Sequence, residues 1–458
     1  MNEIWDVIII GAGMSGLGAG IRIAMSGKKV LILEQHNAIG GLNSFYLKDG
    51  IKYDVGLHAL TNFVPQGSKG HPLNKLCRQL RIPYEALQLE EQVISSIMFP
   101  EIELTFNNNF DHFLEQIAAH FPNEIDRFRQ LDKAVMAYPE TELAGPRFIS
   151  TRETLDNYLQ NSLLKEMLLL PLFYYGSAHV NDLDWRQFII LYKAIYKEGF
   201  ARPAGGVRTI LKLLRERLRD LGGTLKVKAK VRLLQESEDT VAVTLESGEI
   251  LYGKQVLSSA GYYETLRLLQ KEAPLPLSNL GFAETITTFN ACPSQMGLDK
   301  TIVFFNTSSV VDYRPCQELV DLRSGVLCVP ENYNTETITA RTTLRTTHLA
   351  GYDAWKQLDS TAYKAQKKVW LQKSRKNALQ LLNSHLNFDI LAEDMFTPLT
   401  IERYTGHVRG AIYGSPQKYR NGDIGCKKIF ICGTDQGFLG IVGAILSGIS
   451  MANYHCLH

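Results

Sequence analysis

Residues 6–20 read Asp6-Val7-Ile8-Ile9-Ile10-Gly11-Ala12-Gly13-Met14-Ser15-Gly16-Leu17-Gly18-Ala19-Gly20. An apolar run enters a G-x-G-x-x-G spacing, and a helical pattern follows. A dinucleotide diphosphate requires that order. Gly11 permits the tight turn, Gly13 lets backbone approach the diphosphate, and Gly16 lets the helix pack closely on the strand. The helix N-terminus, with Met14 and Ser15 in the same turn, then faces the negative charge. A second apolar strand, Lys29-Val30-Leu31-Ile32-Leu33, ends in Glu34. That acid stands about 20 residues beyond the glycines, where it can accept from a ribose 2′-OH.

Working outward, the pair Gly40-Gly41 precedes Leu42, and Tyr53-Asp54-Val55-Gly56 follows. With these residues the chain resembles the flavoprotein group of amine oxidases, protoporphyrinogen oxidases and phytoene desaturases. A simple nicotinamide domain, the alternative, has no need of the Gly40-Gly41 pair. The resemblance implies an α/β, Rossmann-like FAD-binding domain of the glutathione reductase/amine oxidase type with an inserted α+β substrate domain. It implies FAD as cofactor, with Leu42, Asp54 and Gly56 in flavin-facing segments. Two distant stretches extend it. Arg202-Pro203-Ala204-Gly205-Gly206 resembles the turn that re-enters the flavin domain, and Val231 matches the valine whose backbone meets the adenine. Val256-Leu257-Ser258-Ser259-Ala260-Gly261 resembles the strand that closes that excursion. At the C-terminus, Ile429-Phe430-Ile431-Cys432-Gly433-Thr434-Asp435 matches the strand that ends at the ribityl chain. The familiar Gly-Asp pair is here Gly433-Thr434-Asp435. The Gly-rich helix expected over 437–452 places Ile441 and Val442 at the flavin's pyrimidine edge, where helix-end amides stabilise reduced flavin.

The resemblance is closest to the phytoene desaturase, carotenoid isomerase and retinol saturase branch. His58 follows the Asp54-x-Gly56 turn, and Pro398-Leu399-Thr400-Ile401-Glu402-Arg403-Tyr404-Thr405-Gly406 with Gly410-Ala411-Ile412-Tyr413-Gly414 resembles that branch's stretch before the last flavin segment. The similarity thins over 70–195 and 270–395. It implies an enzyme that desaturates, saturates or isomerises carbon–carbon bonds of a lipophilic, carotenoid- or retinoid-like substrate. The alternatives are an amine oxidase or protoporphyrinogen oxidase type, and a flavin-free prenyl- or lipid-binding protein like the GDP-dissociation inhibitors. In the latter the C-terminal flavin segment is lost, whereas here it is present.

At 458 residues two domains are expected. The flavin motifs fall in three pieces, so the FAD-binding domain is assigned to 1–65, 198–272 and 400–458, and the substrate domain to 66–197 and 273–399. A net charge of +2 does not suggest nucleic acid as a partner. The seven cysteines show no C-x-x-C or metal spacing, so no metal site is expected. The apolar start lacks a basic n-region, which points to a cytoplasmic protein with reduced thiols. Lys226, Lys228 and Lys230 read as alternating along a strand that reaches Val231, with Val227 and Ala229 on the other face. That pattern is a solvated face or a site for anionic headgroups. The run 163–175 reads as a core helix ended by Pro171, or as the lining of a lipophilic tunnel in peripheral contact with a membrane.

The flavin carries the difficult chemistry, and the protein supplies binding and orientation. Four side chains near the motifs are candidates for catalytic work. His58 reads as a proton donor or an orienting group, with a structural role as the alternative. Tyr404, Arg409 and Tyr413 read as lining the flavin face or anchoring a substrate carboxylate, with packing or an ion pair as the alternative.

Overall fold

The computed structural model describes residues 3–139, 148–272, 280–333, 340–384 and 387–457. Strand Ile4–Ile10 lies inside a sheet of order Thr224–Lys226, Val30–Leu33, Ile4–Ile10, Ile250–Ser258, its members parallel. Val7–Ile10 and Val30–Leu33 are buried throughout, as unbroken apolar runs in a parallel sheet covered on both faces must be. The outer edge of Ile250–Ser258 is shared. Its first half pairs antiparallel with Val241–Leu245, which Val231–Glu236 extends into a meander, and its end pairs parallel with Ile429–Ile431.

Helices Met14–Ala24 and Gly440–Met451 pack against each other through glycines. A Cβ at Gly448 would overlap the Ser15 carbonyl oxygen, and one at Gly18 would stand 2.8 Å from the Ile445 carbonyl oxygen. The N-terminal and C-terminal segments are thereby held side by side.

A second, mixed sheet runs in the order Ile390–Phe396, Gly281–Phe289, Thr342–Ala350, Asp321–Cys328, Ile302–Asn306, Ser95–Met98, Glu103–Phe106. Helix Ser360–Leu381, capped by the Asp359 carboxylate, packs on one face. Alternation along Gly281–Phe289 turns Phe282, Glu284, Ile286 and Thr288 to the other face. There Ile286 packs with Tyr53, and Thr288 lies 3.2 Å from the Tyr53 hydroxyl. Strands Gly281–Phe289 and Ile302–Asn306 are rich in β-branched and aromatic residues, and helices Phe110–His120 and Thr151–Asp156 are capped by Asn109 and Ser150.

Three expectations are corrected. Helix Ser162–Gly176 runs through Pro171. A proline inside a helix costs roughly 3 kcal/mol, but almost every side chain from Leu164 to Tyr174 is buried in the largest apolar cluster, and that packing outweighs it. The segment is interior rather than a surface that dips into a membrane. The lysine segment is not one strand. Thr224–Lys226 stops before Lys228, which sits at φ +54°, and Val227 is exposed. Lys226 and Lys230 are paired with Glu249 and Glu246, so two of the three cations meet carboxylates rather than free headgroups. The C-terminal helix starts at Gly440, because Gly437 takes a left-handed turn (φ +109°). No helix among the described residues is long and apolar enough to cross a membrane.

Candidate functional site

The carboxyl ends of the parallel strands and the two glycine-packed helices form a cradle. Gly11 has φ +91°, a value that L side chains rarely adopt, and a Cβ on Gly16 would overlap the Gly11 carbonyl oxygen. Gly13 differs. Its backbone is extended, and a Cβ there would meet nothing within 4 Å. Gly40 bridges Gly13 in parallel, and Gly41 stands 3.7 Å from the Gly13 Cα, measured from an ideal Cβ. Leu42 lies in the short turn Gly41–Asn43, and its carbonyl fills the space where Gly56 could carry a side chain. Neither Met14–Ala24 nor Gly440–Met451 has a side-chain cap or an acid in its first turn. Each of these helix N-termini thus presents uncapped amides, the arrangement that binds anions.

Glu34 is buried and accepts from the Ala12 and His36 N–H groups at 2.9 Å each. A carboxylate has about four acceptor sites, so capacity for ribose hydroxyls remains. Val231 and Ala260 pack into one cluster with Ile10 and Leu33 beside it. Gly433 holds φ +96° against the Ser15 hydroxyl, and its N–H donates to Ser447 Oγ at 2.7 Å. Ile441 and Val442 send their side chains into an apolar gap with Leu60, Leu73 and Ile210, so only their backbone amides are available to a ligand. Beside the Gly437 turn, both amide atoms of buried Gln187 lack a partner.

Two acids expected at the cofactor act as clamps. Asp54 pairs with Arg202 at 2.5 Å and Arg208 at 3.4 Å, fixing the turn at Gly206. Asp435 accepts from the Tyr262 and Ser415 N–H groups at 2.6 Å each and is buried; burial pushes its carboxyl up from the ordinary carboxylate range, against nearby Lys418. Its place, one residue later than the familiar Gly-Asp, puts it at the junction of three loops.

Above the cradle stands the second sheet. His58 Nε2 lies 3.2 Å from Thr347 Oγ1 and 3.5 Å from Glu284 Oε1. Arg345 pairs with Glu284 and reaches the Leu57 carbonyl at 3.4 Å, which Arg202 also holds at 2.6 Å. Tyr175 stacks on the His58 ring at 6.5 Å. Burial lowers the proton affinity of His58, with Glu284 opposing and Arg345 assisting. Burial raises the Glu284 carboxyl, but Arg345 and His58 outweigh it and hold it at about 2. Around this cluster Phe282, Tyr174, Tyr413 and Tyr313 form an aromatic wall.

Against known proteins, the family described as flavin containing amine oxidoreductase matches residues 14–454. The chain belongs to that family. It is 26% identical to the chloroplastic prolycopene isomerase of Daucus carota over 319 residues, 61% of this chain and 49% of the isomerase, so the match spans about half of that protein. It is 24% identical to the 4,4'-diaponeurosporene oxygenase of Staphylococcus aureus (strain USA300) over 457 residues, covering 89% of this chain and 87% of the oxygenase. Among solved structures, an oxidoreductase from Methanosarcina mazei superposes with a TM-score of 0.67 at 13% identity, over 98% of this chain and 99% of that one.

As a flavin amine oxidoreductase-family protein, the chain takes FAD, and its own residues fit one. The open Gly13 position, the two uncapped helix ends, the spare acceptor sites of Glu34 and the orphaned Gln187 amide are what a dinucleotide with a polar ring edge would complete. The other candidates divide. Tyr413 turns inward, its hydroxyl donating to the Tyr174 carbonyl and its ring against Phe282. Tyr404 and Arg409 stand apart from the His58 cluster. Tyr404 is 56% exposed with its ring tilted against His36, while Arg409 pairs with Asp353 and lies over the Tyr352 ring. They lie on helix Pro398–Thr405 and the turn after it, where their side chains turn to His36 and Tyr352 rather than to His58. Glu284, Arg345 and Thr347 were missed. A charge set alone in a buried, threonine-rich strand was the signal available.

Proposed function

We propose that this flavin oxidoreductase acts on carbon–carbon bonds of a lipophilic, carotenoid-like substrate. The observation that carries the reading is the aromatic wall next to the cradle, where Phe282, Tyr174, Tyr175 and Tyr413 pack around one polar cluster centred on His58. Two relatives named for carotenoid chemistry support it. When bound, the flavin supplies a two-electron acceptor or donor. The residues around it do the rest. The helix-end amides hold the anionic edge, the wall excludes water, and His58 offers an imidazole beside the Tyr175 ring. Peripheral membrane contact, which would deliver such a substrate, belongs to the same proposal.

The test is the visible spectrum of the purified protein before and after anaerobic dithionite, followed by turnover of polyenes in vesicles beside amines and porphyrinogens. Conversion of polyenes alone is the expected result. Conversion of amines alone would overturn the substrate class while leaving the flavin.

A further inference from the structure

The polar cluster in the wall has more order than a salt bridge needs. His58 is approached by Glu284 from strand Gly281–Phe289, Arg345 and Thr347 from strand Thr342–Ala350, Arg202 from strand Phe200–Pro203, and Tyr175 from helix Ser162–Gly176. Tyr333 donates to the His58 carbonyl at 2.9 Å, and the Cys328 thiol lies 3.7 Å from the same oxygen. The backbone of residue 58 is therefore pinned from the second sheet and the ring is set by what meets its nitrogens. Every polar contact of the ring falls on Nε2. Among the described residues no hydrogen bond falls on Nδ1, and the His58 side chain keeps 11% of its surface exposed.

We propose that Glu284 and Thr347, braced by Arg345, are positioning residues that hold His58 as its Nε2–H tautomer and so present Nδ1 as a proton acceptor. This rests on the carbon–carbon bond reading above. A neutral imidazole has one donor and one acceptor nitrogen. An ionised carboxylate at 3.5 Å favours hydrogen on Nε2, and the Thr347 hydroxyl at 3.2 Å can accept it. Arg345 keeps that carboxylate ionised and, through the Leu57 carbonyl, ties it to the segment bearing His58. Burial then keeps the ring neutral near pH 7.

The chemistry that follows is proton removal. In a desaturation, the flavin held by the cradle would supply the acceptor for a hydride equivalent from one carbon. A C–H bond on the neighbouring carbon breaks, its electron pair becomes the new π bond, and the proton ends on Nδ1. The resulting imidazolium faces Glu284, which offsets its charge. The cluster thus favours desaturation or double-bond migration over saturation, which would need a proton donor at the same place.

The test uses the FAD-loaded full chain labelled with ¹⁵N-histidine, with His58 assigned by loss of its signals in His58→Gln. At pH 7 the expected spectrum has a protonated Nε2 and a bare Nδ1; a protonated Nδ1 or an imidazolium would overturn the proposal. In Glu284→Gln and, as a gentler change, Thr347→Val, the tautomers should mix. Turnover should fall by about 100-fold, in kcat rather than KM. The acid limb of the kcat profile should move to lower pH in Glu284→Gln. A tautomer unmoved in both variants would also overturn it. These spectra read His58 whether or not a polyene is turned over, so the substrate reading and the tautomer reading fail separately.

Discussion

The cradle and the wall meet at one place but are built from different material. In the cradle the working groups are backbone amides, and the side chains are absent by design of the packing. Gly16 and Gly448 leave room for carbonyl oxygens, and Gly13 leaves room for whatever lies above it. In the wall the working groups are side chains. Glu284 and Arg345 are charged groups set in a sheet whose other neighbours are threonines and aromatic rings, and His58 meets them from the loop after Asp54. The contrast teaches where each half is vulnerable. A cradle fails by steric addition, whereas a wall fails when one member of a buried pair is removed.

The largest expected effect is therefore in the wall. Arg345 is fully buried, and Arg345→Met leaves Glu284 without its cation. Breaking a buried pair from one side costs about 3–5 kcal/mol, while replacing both partners is often near neutral. Urea unfolding of Arg345→Met should show that loss, and Arg345→Met/Glu284→Leu should recover most of it. Equal losses in the single and double variants would mean that the pair contributes through packing alone.

Next comes the cradle, where two glycines should behave oppositely. Gly448→Ala forces a methyl group onto the Ser15 carbonyl, an overpacking that costs about 1–3 kcal/mol. Gly13→Ala meets nothing within 4 Å and keeps ordinary backbone angles, so its melting temperature without cofactor should be unchanged. Its FAD affinity should nevertheless fall, measured by flavin fluorescence titration. A Gly13→Ala protein that binds FAD normally would place the diphosphate elsewhere.

These regions also differ in how far they can be read from sequence. The cradle is legible because its requirements are local. Turn, close approach and helix packing demand glycine at 11, 13 and 16, and the acid at 34 closes the same unit within one strand–helix–strand passage. The wall is assembled from residues 58, 284, 345 and 347, joined only by the antiparallel register that sets Glu284 opposite Thr347. No local rule requires those side chains at those positions. Asp54 and Asp435 fall between the two cases. Their motifs marked the right turns, but long-range partners such as Arg202 and the Ser415 N–H set what the carboxylates do. Pro171 fails as a stop signal for a similar reason, because burial of the whole helix outweighs a local preference.

Acid should separate the halves further. The Glu284 carboxyl is held at about 2 against an ordinary 4.5, so the folded state favours its ionised form. A depressed carboxylate contributes stability that is full above the ordinary value and is lost as pH falls through the folded one. His58, with its affinity for a proton lowered by burial, acts in the same direction below its ordinary 6.5. The wild-type urea midpoint should therefore fall between pH 6.5 and about 2, and in Arg345→Met/Glu284→Leu the portion below 4.5 should be shallower. A double variant that tracks the wild type through that window would assign acid sensitivity to other carboxylates.

The smallest effect tests the boundary of the site itself. Arg409 lies beyond the wall, its guanidinium paired with Asp353 in a partly exposed position and set over the Tyr352 ring. Exposed pairs contribute about 0–1 kcal/mol, and surface changes usually stay within about 0.5 kcal/mol. Tyr404, 56% exposed, has even less to lose. Tyr404→Phe and Arg409→Lys should thus leave the urea midpoint, the flavin spectrum and the turnover of polyenes close to wild type, whereas Tyr413→Phe should alter turnover, since its hydroxyl is bound to the helix that carries Tyr175. If Arg409→Lys instead changed the KM for a polyene bearing a carboxylate end, the substrate would have to extend past the wall to the outer turn, and the apolar edge of the site would be drawn in the wrong place.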